Sequence, residues 1–489
     1  VVMLFQSERL RLESIDQIAT VWLDRHVMDS ALAADLSQAL RIVCQSSCID
    51  VLVLRGGKAD HFLIGPDLDE CARLQDEISL RDFSMHGQYL LQRLEQISEI
   101  IPTVAYIDGR CTNAGMELAL ACDYRLAVAR PETLIGFDPL VRGWLPCWGA
   151  TQRLPRLLGL RAASSLLTNS QFLPARAARK LGLIDHVFGP RPAKAELNWF
   201  LAELQDHPRR PRRFRGQSGW FRRLWEQSPR GRTSLFDSVR ASLFHDPLAL
   251  ALLDALKRGA RFGLAEGFRA ERNALVQTVL SGTHRERFEP ARTWEEQTMR
   301  LQAIAVPSQI GVVGLSSIGI DLAACALRFG GKVTVYDADE PRLQRGLAKL
   351  QQGLETNIAS GWWTIADRDQ KRQLLRGSAT GEGIESADLI FLAGSPKEQR
   401  RFVAESECLL PEQCIVASTE PAANPAAHHP ERCLAWRVID SRHVDFITGT
   451  ATSETACNKL ARWFDHCGYQ IRGLPARKRR EEKVAAFAA

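Results

Sequence analysis

The spacing of apolar positions predicts an alternation of strands and helices from the first residues. Ile18-Ala19-Thr20-Val21-Trp22-Leu23 reads as a strand, Met28-Asp29-Ser30 caps a helix running through Leu40 and Ile42, and Val51-Leu52-Val53-Leu54 reads as a second strand. The apolar stretch 102–107 ends at the turn Asp108-Gly109, and Ala114-Gly115-Met116-Glu117-Leu118-Ala119 opens a helix with Glu117 one turn inside. Two short helices surround Leu173-Pro174-Ala175-Arg176, and further helices are predicted over 247–256 and 270–280. At Ile310 the pattern becomes a buried strand, Ile310-Gly311-Val312-Val313, then Gly314-Leu315-Ser316-Ser317-Ile318-Gly319, a helix through Leu327, and a strand from Lys332 to Tyr336 ending at Asp337.

Two of these segments carry candidate chemistry. Free N–H groups at the helix start near Ala114 attract negative charge, including charge that develops on a carbonyl oxygen, and Glu117 lies beside them. The strand-turn-helix-strand at 310–337 is a Rossmann βαβ. Gly314 and Gly319 shape a turn whose amides suit a pyrophosphate, and Asp337 stands where an acid meets the ribose of NAD. Ser316 replaces the central glycine, and its Cβ would crowd a dinucleotide. NAD binding and a Rossmann scaffold kept for packing both remain open at this point.

The run from Ile107 to Arg125, IDGRCTNAGMELALACDYR, resembles the pattern x-G-x-C-x-G-G-G-x-E-L-A-x-A-C-D-x-R of the crotonase (enoyl-CoA hydratase/isomerase) superfamily, and Gly136 through Pro155 resembles its sequel. The order of segments resembles the multifunctional β-oxidation α-subunit, a crotonase unit before a 3-hydroxyacyl-CoA dehydrogenase. The resemblance implies an α/β architecture: a crotonase ββα spiral over 1–190, a helical linker with an arginine-rich stretch over 191–303, a Rossmann-like doubly wound domain over 304–475, and a charged tail over 476–489. It also implies a coenzyme A thioester as ligand, substrate contacts at Lys58, Gly65 and Asp67, and oxyanion donors at positions 66 and 114. Acyl-CoA is the implied small-molecule partner, and a thiolase-like subunit or a homo-oligomer the implied assembly.

Several positions depart from the family pattern. Position 66 is proline, which has no N–H to donate, leaving the Ala114 amide. Losing one such donor costs on the order of 10²–10³ in rate. The family's second glutamate falls on Pro139, with Asp138 one residue early and one methylene short, so Glu117 stands as the single well-placed carboxylate of an acid/base pair. In the dehydrogenase half, Leu392 stands at a family glutamate, with Pro396 near the second. Thr419 replaces an asparagine, and Arg437 falls at the histidine position. The ending soon after Trp463 implies absence of the helical domain that completes the family's dehydrogenase cleft.

Composition adds limits. In 489 residues, 45% hydrophobic and 25% charged, there is room for two or three globular domains. No run of about 18 apolar residues occurs, so no transmembrane segment is expected. The start does not read as a secretory signal, and a cytoplasmic protein is the expectation. Twelve scattered cysteines form no Cys-x-x-Cys pair; Cys44, Cys111, Cys122 and Cys325 read as core thiols, with no metal site. The net charge of +6 suits a polyanionic ligand. Arg209, Arg210, Arg212, Arg213 and Arg215, with Arg222, Arg223, Arg230 and Arg232 and interleaved Trp220, Phe221 and Trp225, suggest RNA or an acidic membrane. The run is short and carries no nucleic-acid fold signature, which favours a solvated linker or a neighbour of the CoA phosphates. Two functions are therefore carried forward: an acyl-CoA protein of the β-oxidation type with residual or altered crotonase chemistry through Glu117 and no dehydrogenase activity, or a catalytically inactive scaffold.

Overall fold

The computed structural model describes residues 1–57, 61–170, 172–190, 193–207, 228–243, 246–301, 304–359, 363–406, 410–419, 429–438, 443–447 and 452–472. The chain divides into two compact units, Val1–Arg292 and Thr293–Ala489.

Among the described residues of the first unit, seven strands form one sheet in the order Val2–Gln6, Leu10–Ile15, Ile18–Leu23, Val51–Gly56, Thr103–Ile107, Tyr124–Val128, His186–Phe188. The first three pair antiparallel and the rest parallel. Four short strands, Phe172–Pro174, Leu134–Gly136, Arg110–Thr112 and His61–Leu63, make a second sheet. Thr103–Ile107 is buried throughout, as its continuous apolar run requires of a parallel strand covered on both faces. The turn after it delivers the chain to the short strand 110–112 and then to the helix Ala114–Leu120, every residue of which is buried. This is the ββα repeat of the crotonase spiral.

The helices expected over 247–256 and 270–280 are longer, Pro247–Phe262 and Leu264–Leu280, separated by Gly263. They pack on each other and on the helix Ala150–Leu158, and the second also packs on Glu77–Ile97. Cys111 and Cys122 are buried as expected, but Cys44 is exposed and Cys325 half-buried. Leu36, Ala39, Leu40 and Val43 form the inward stripe of the helix Ser30–Gln45, and Cys44 falls off it.

The second unit has eight strands among its described residues, in the order Leu375–Ser378, Lys332–Tyr336, Gln309–Val313, Leu389–Leu392, Ile415–Ser418, Cys433–Val438, His443–Ile447, Gln470–Arg472. The first six run parallel, and the reversal of strand order on either side of Gln309–Val313 is that of a doubly wound dinucleotide fold. Lys58, Arg209, Arg210, Arg212, Arg213, Arg215, Trp220, Phe221, Arg222, Arg223 and Trp225 lie outside the described residues. Arg232 is held in the first unit, donating to the carbonyl of Ala260.

Candidate functional site

Glu117 points from the buried helix Ala114–Leu120 at the start of the helix Ala150–Leu158. Its Oε1 accepts the backbone N–H groups of Trp148 and Ala150 at 2.9 and 3.0 Å. The same turn holds a second carboxylate: Oε2 of Glu271 accepts the Thr151 N–H at 3.1 Å and its hydroxyl, while Oε1 accepts Nε2 of Gln88 at 3.2 Å. One helix N-terminus thus holds two carboxyl groups, both almost fully buried. Burial, and then the charge of Glu271, push the Glu117 carboxyl up to about 8, against the Ala150 and Trp148 amides and Arg153. Burial raises Glu271 as well, against its bonds from Thr151 and Gln88. The pair therefore keeps proton at neutral pH.

The cavity at Glu117 measures about 20 Å³, space for about one water. Pro66, Ala114 and Glu117 line it, so the structure brings together three of the predicted site positions. Phe83, Trp144 and Trp148 fill the surroundings, with ring centroids 6.3 Å (Phe83 to Trp144) and 5.7 Å (Phe83 to Trp148) apart. The Trp148 indole fits because the helix Glu77–Ile97 offers Gly87 there; a Cβ at 87 would come 2.1 Å from Cε2 of the indole. Ser84 and Gln88 of that helix donate to the carbonyl of Cys147, fixing the aromatic loop from below.

The remaining predicted positions are engaged within the protein. Asp138 is buried and paired with Arg142, Oδ1 to Nε 3.1 Å, and also accepts from Nδ2 of Asn113 at 2.5 Å. It does not line the Glu117 cavity described above, and its neighbour Pro139 starts the short helix that aims Arg142 back at it. Gly65 accepts the Met28 N–H through its carbonyl, and Asp67 caps the helix Leu68–Cys71 by accepting the Glu70 N–H.

Sequence reading missed Glu271, Gln88, Trp144 and Trp148. Glu271 had a signal: it lies in phase with the buried positions Gly267, Ala274 and Thr278, a lone acid on an inward stripe. Trp144 and Trp148 occupy variable positions of the pattern from Gly136 to Pro155, where only their bulk distinguishes them.

In the second unit, Gly314 adopts φ +90°, and its Cα is so close to Gly394 that a Cβ would lie 2.4 Å from the Gly394 Cα. Ser316 caps the helix Ser317–Arg328, its hydroxyl accepting the Gly319 N–H at 3.3 Å. Asp337 is buried, accepting the Leu315 N–H at 3.2 Å and Nε of Arg342 at 2.6 Å, and Arg342 continues to Glu398 at 2.5 Å. The Gly319 amide of the turn and the Asp337 carboxylate at the end of the second strand are both engaged by neighbours within the protein. Arg437 forms an exposed ion pair with Asp445 at 2.7 Å.

Residues 14–210 match the family described as enoyl-CoA hydratase/isomerase, and residues 309–435 match that of the 3-hydroxyacyl-CoA dehydrogenase NAD binding domain. The chain thus joins a crotonase domain to a dehydrogenase-type Rossmann domain. It is similar to the fatty acid oxidation complex subunit alpha of Shewanella amazonensis, 29% identical over 388 residues, covering 75% of this chain and 52% of that protein. The protein of the same name from Shewanella halifaxensis is 26% identical over 381 residues, with the same coverage. The chain spans about half the length of the curated relatives it matches. A solved enoyl-CoA hydratase from Bacillus halodurans shares 22% identity over 57% of this chain and 98% of that one, with a TM-score of 0.42. No helix among the described residues is long and apolar enough to cross a membrane.

Proposed function

We propose that this chain is a fatty acid oxidation α-subunit-type scaffold that catalyses neither enoyl-CoA hydration nor hydride transfer, and that its role is assembly within an acyl-CoA-processing complex. The observation that carries this is the 20 Å³ cavity at Glu117, closed by Trp144, Trp148 and Phe83. Hydration needs a water, a thioester and two proton-transfer groups in one space. Here Pro66 removes an oxyanion donor, Asp138 is paired with Arg142, and Glu271 is held by Thr151 and Gln88 and does not line the cavity. The assembly role is taken from the relatives, which are named as subunits of a complex.

A second reading, residual chemistry on a bound acyl-CoA, draws on the raised pKa of Glu117, which keeps a carboxylic acid protonated at the cavity wall. Following enoyl-CoA absorbance with purified protein separates the two. The scaffold predicts no turnover above buffer for the wild type or Glu117→Gln. Turnover that Glu117→Gln abolishes supports the second reading and overturns the first.

A further inference from the structure

We propose that a cleft at the C-terminal end of the Ala114–Leu120 helix, separate from the Glu117 cavity, binds a monocarboxylate with an apolar body. The cleft has a volume of about 510 Å³ and lies wholly within the first unit. That size is in the range of small-molecule sites. Leu120, Leu157, Leu264 and Phe268 give it apolar walls, which would exclude water from an alkyl or aryl group.

Its charged residues are unequally satisfied. Arg153 holds Glu95 through two bonds of 2.9 and 3.0 Å, and donates Nη1 to the carbonyl of Trp148 at 2.7 Å. Asp123 accepts the N–H and hydroxyl of Thr103, and Arg125 is paired with Asp185 at 2.8 Å. Arg156 differs. Among the described residues its guanidinium makes one hydrogen bond, Nη1 to the Gln152 carbonyl on its own helix at 2.5 Å, and no ion pair. It is half-buried, and that desolvation lowers its pKa against the attraction of the nearby Glu95 carboxylate, which Arg153 already holds through two bonds. A guanidinium has five donors, and a carboxylate meets two of them at once.

The chemical class follows from these facts. A cation would face Arg156. A wholly apolar molecule would leave that charge desolvated without a partner. A polyphosphate would bring several charges toward one uncommitted arginine and the carboxylates of Glu95, Glu99 and Asp123, which also line the cleft. One carboxylate on an apolar body of about ten to fifteen non-hydrogen atoms satisfies both walls and charge. This inference does not rest on the proposed scaffold role.

Calorimetric titration of the full chain with octanoate, 4-phenylbutyrate and 1-octanol tests it. The expected result is saturable binding of both carboxylates, with 1-octanol about tenfold weaker or more. Arg156→Gln should weaken octanoate by a similar factor while leaving 1-octanol unchanged. Ala265→Trp, at an exposed position on the cleft wall, should abolish binding by filling the space, and Glu117→Gln should have no effect. Each variant is compared at an unfolding midpoint matched to wild type. No saturable carboxylate binding, or binding unchanged by both Arg156→Gln and Ala265→Trp, overturns the proposal. Loss of binding in Glu117→Gln would move the site to the other cavity and overturn it equally.

Discussion

The Glu117 centre and the Gly314 turn both have the backbone that defines their folds, and in the proposed scaffold reading they are closed by different forces. At Glu117 the closure is by volume. Aromatic side chains fill the space, and two carboxyls are left buried with their pKa values raised. At Gly314 the closure is by charge and hydrogen bonding. Ser316 takes the Gly319 amide, and Arg342 joins Asp337 to Glu398. On that reading a fold outlasts the openness of its cleft, and the manner of closure predicts how each site responds to mutation and pH.

The largest effect should come from removing volume. Trp148→Ala should destabilise the first unit by about 3–5 kcal/mol, read from its urea midpoint, because a well-packed indole leaves a cavity that the fixed loop cannot fill. A loss below about 1 kcal/mol would show that the loop collapses and that aromatic packing does not close the site.

Next is the pH response of the two carboxyls. Both are raised in the folded state, so their contribution to stability is complete at low pH and is lost as pH rises from the ordinary carboxyl range, 4.5, through about 8. The first unit should lose stability steadily between about pH 5 and about pH 9. The double variant Glu117→Gln, Glu271→Gln should flatten that slope. A slope of the opposite sign would mean that the carboxyls are stabilised as anions and that the helix start outweighs burial.

In the second unit the effects should be smaller. Arg342→Ala should cost about 2 kcal/mol, because it strips a charge-assisted bond from buried Asp337. Ser316→Ala should cost about 1 kcal/mol as a lost cap. Ser316→Gly tests the comparison further, since it frees the Gly319 amide while leaving the acid paired. Calorimetry with NAD should still show no binding unless Arg342 is removed as well. Smallest of all, Arg437→Ala should change stability by less than about 1 kcal/mol, as expected of an exposed pair.

Much of this architecture was legible because local signals agreed. The apolar strand before Asp108, the buried helix holding Glu117, and the turn from Gly314 to Gly319 all stand where period and turn chemistry put them. The position of Ser316 could be read, but its role as a helix cap on Gly319 depends on side-chain direction. Asp138 could be seen to be out of register, whereas its bond from Asn113, which holds a φ of +50°, and its pairing with Arg142 across the short helix Pro139–Arg142 are set by local backbone geometry. Glu271 was legible as a lone acid on an inward stripe, but its place beside Glu117 was not, because its partner Thr151 is reached only by packing. The aromatic plug was hidden because a pattern of glycines and prolines says nothing of the volume between them.

One measurement bears most directly on the claim that both clefts are closed. A single preparation is given an enoyl-CoA, and separately a 3-hydroxyacyl-CoA with NAD, and absorbance is followed for loss of the enoyl thioester and for NADH. The account predicts rates equal to buffer in both cuvettes. Hydration lost in Glu117→Gln, or NADH formation by the wild-type chain, would contradict it.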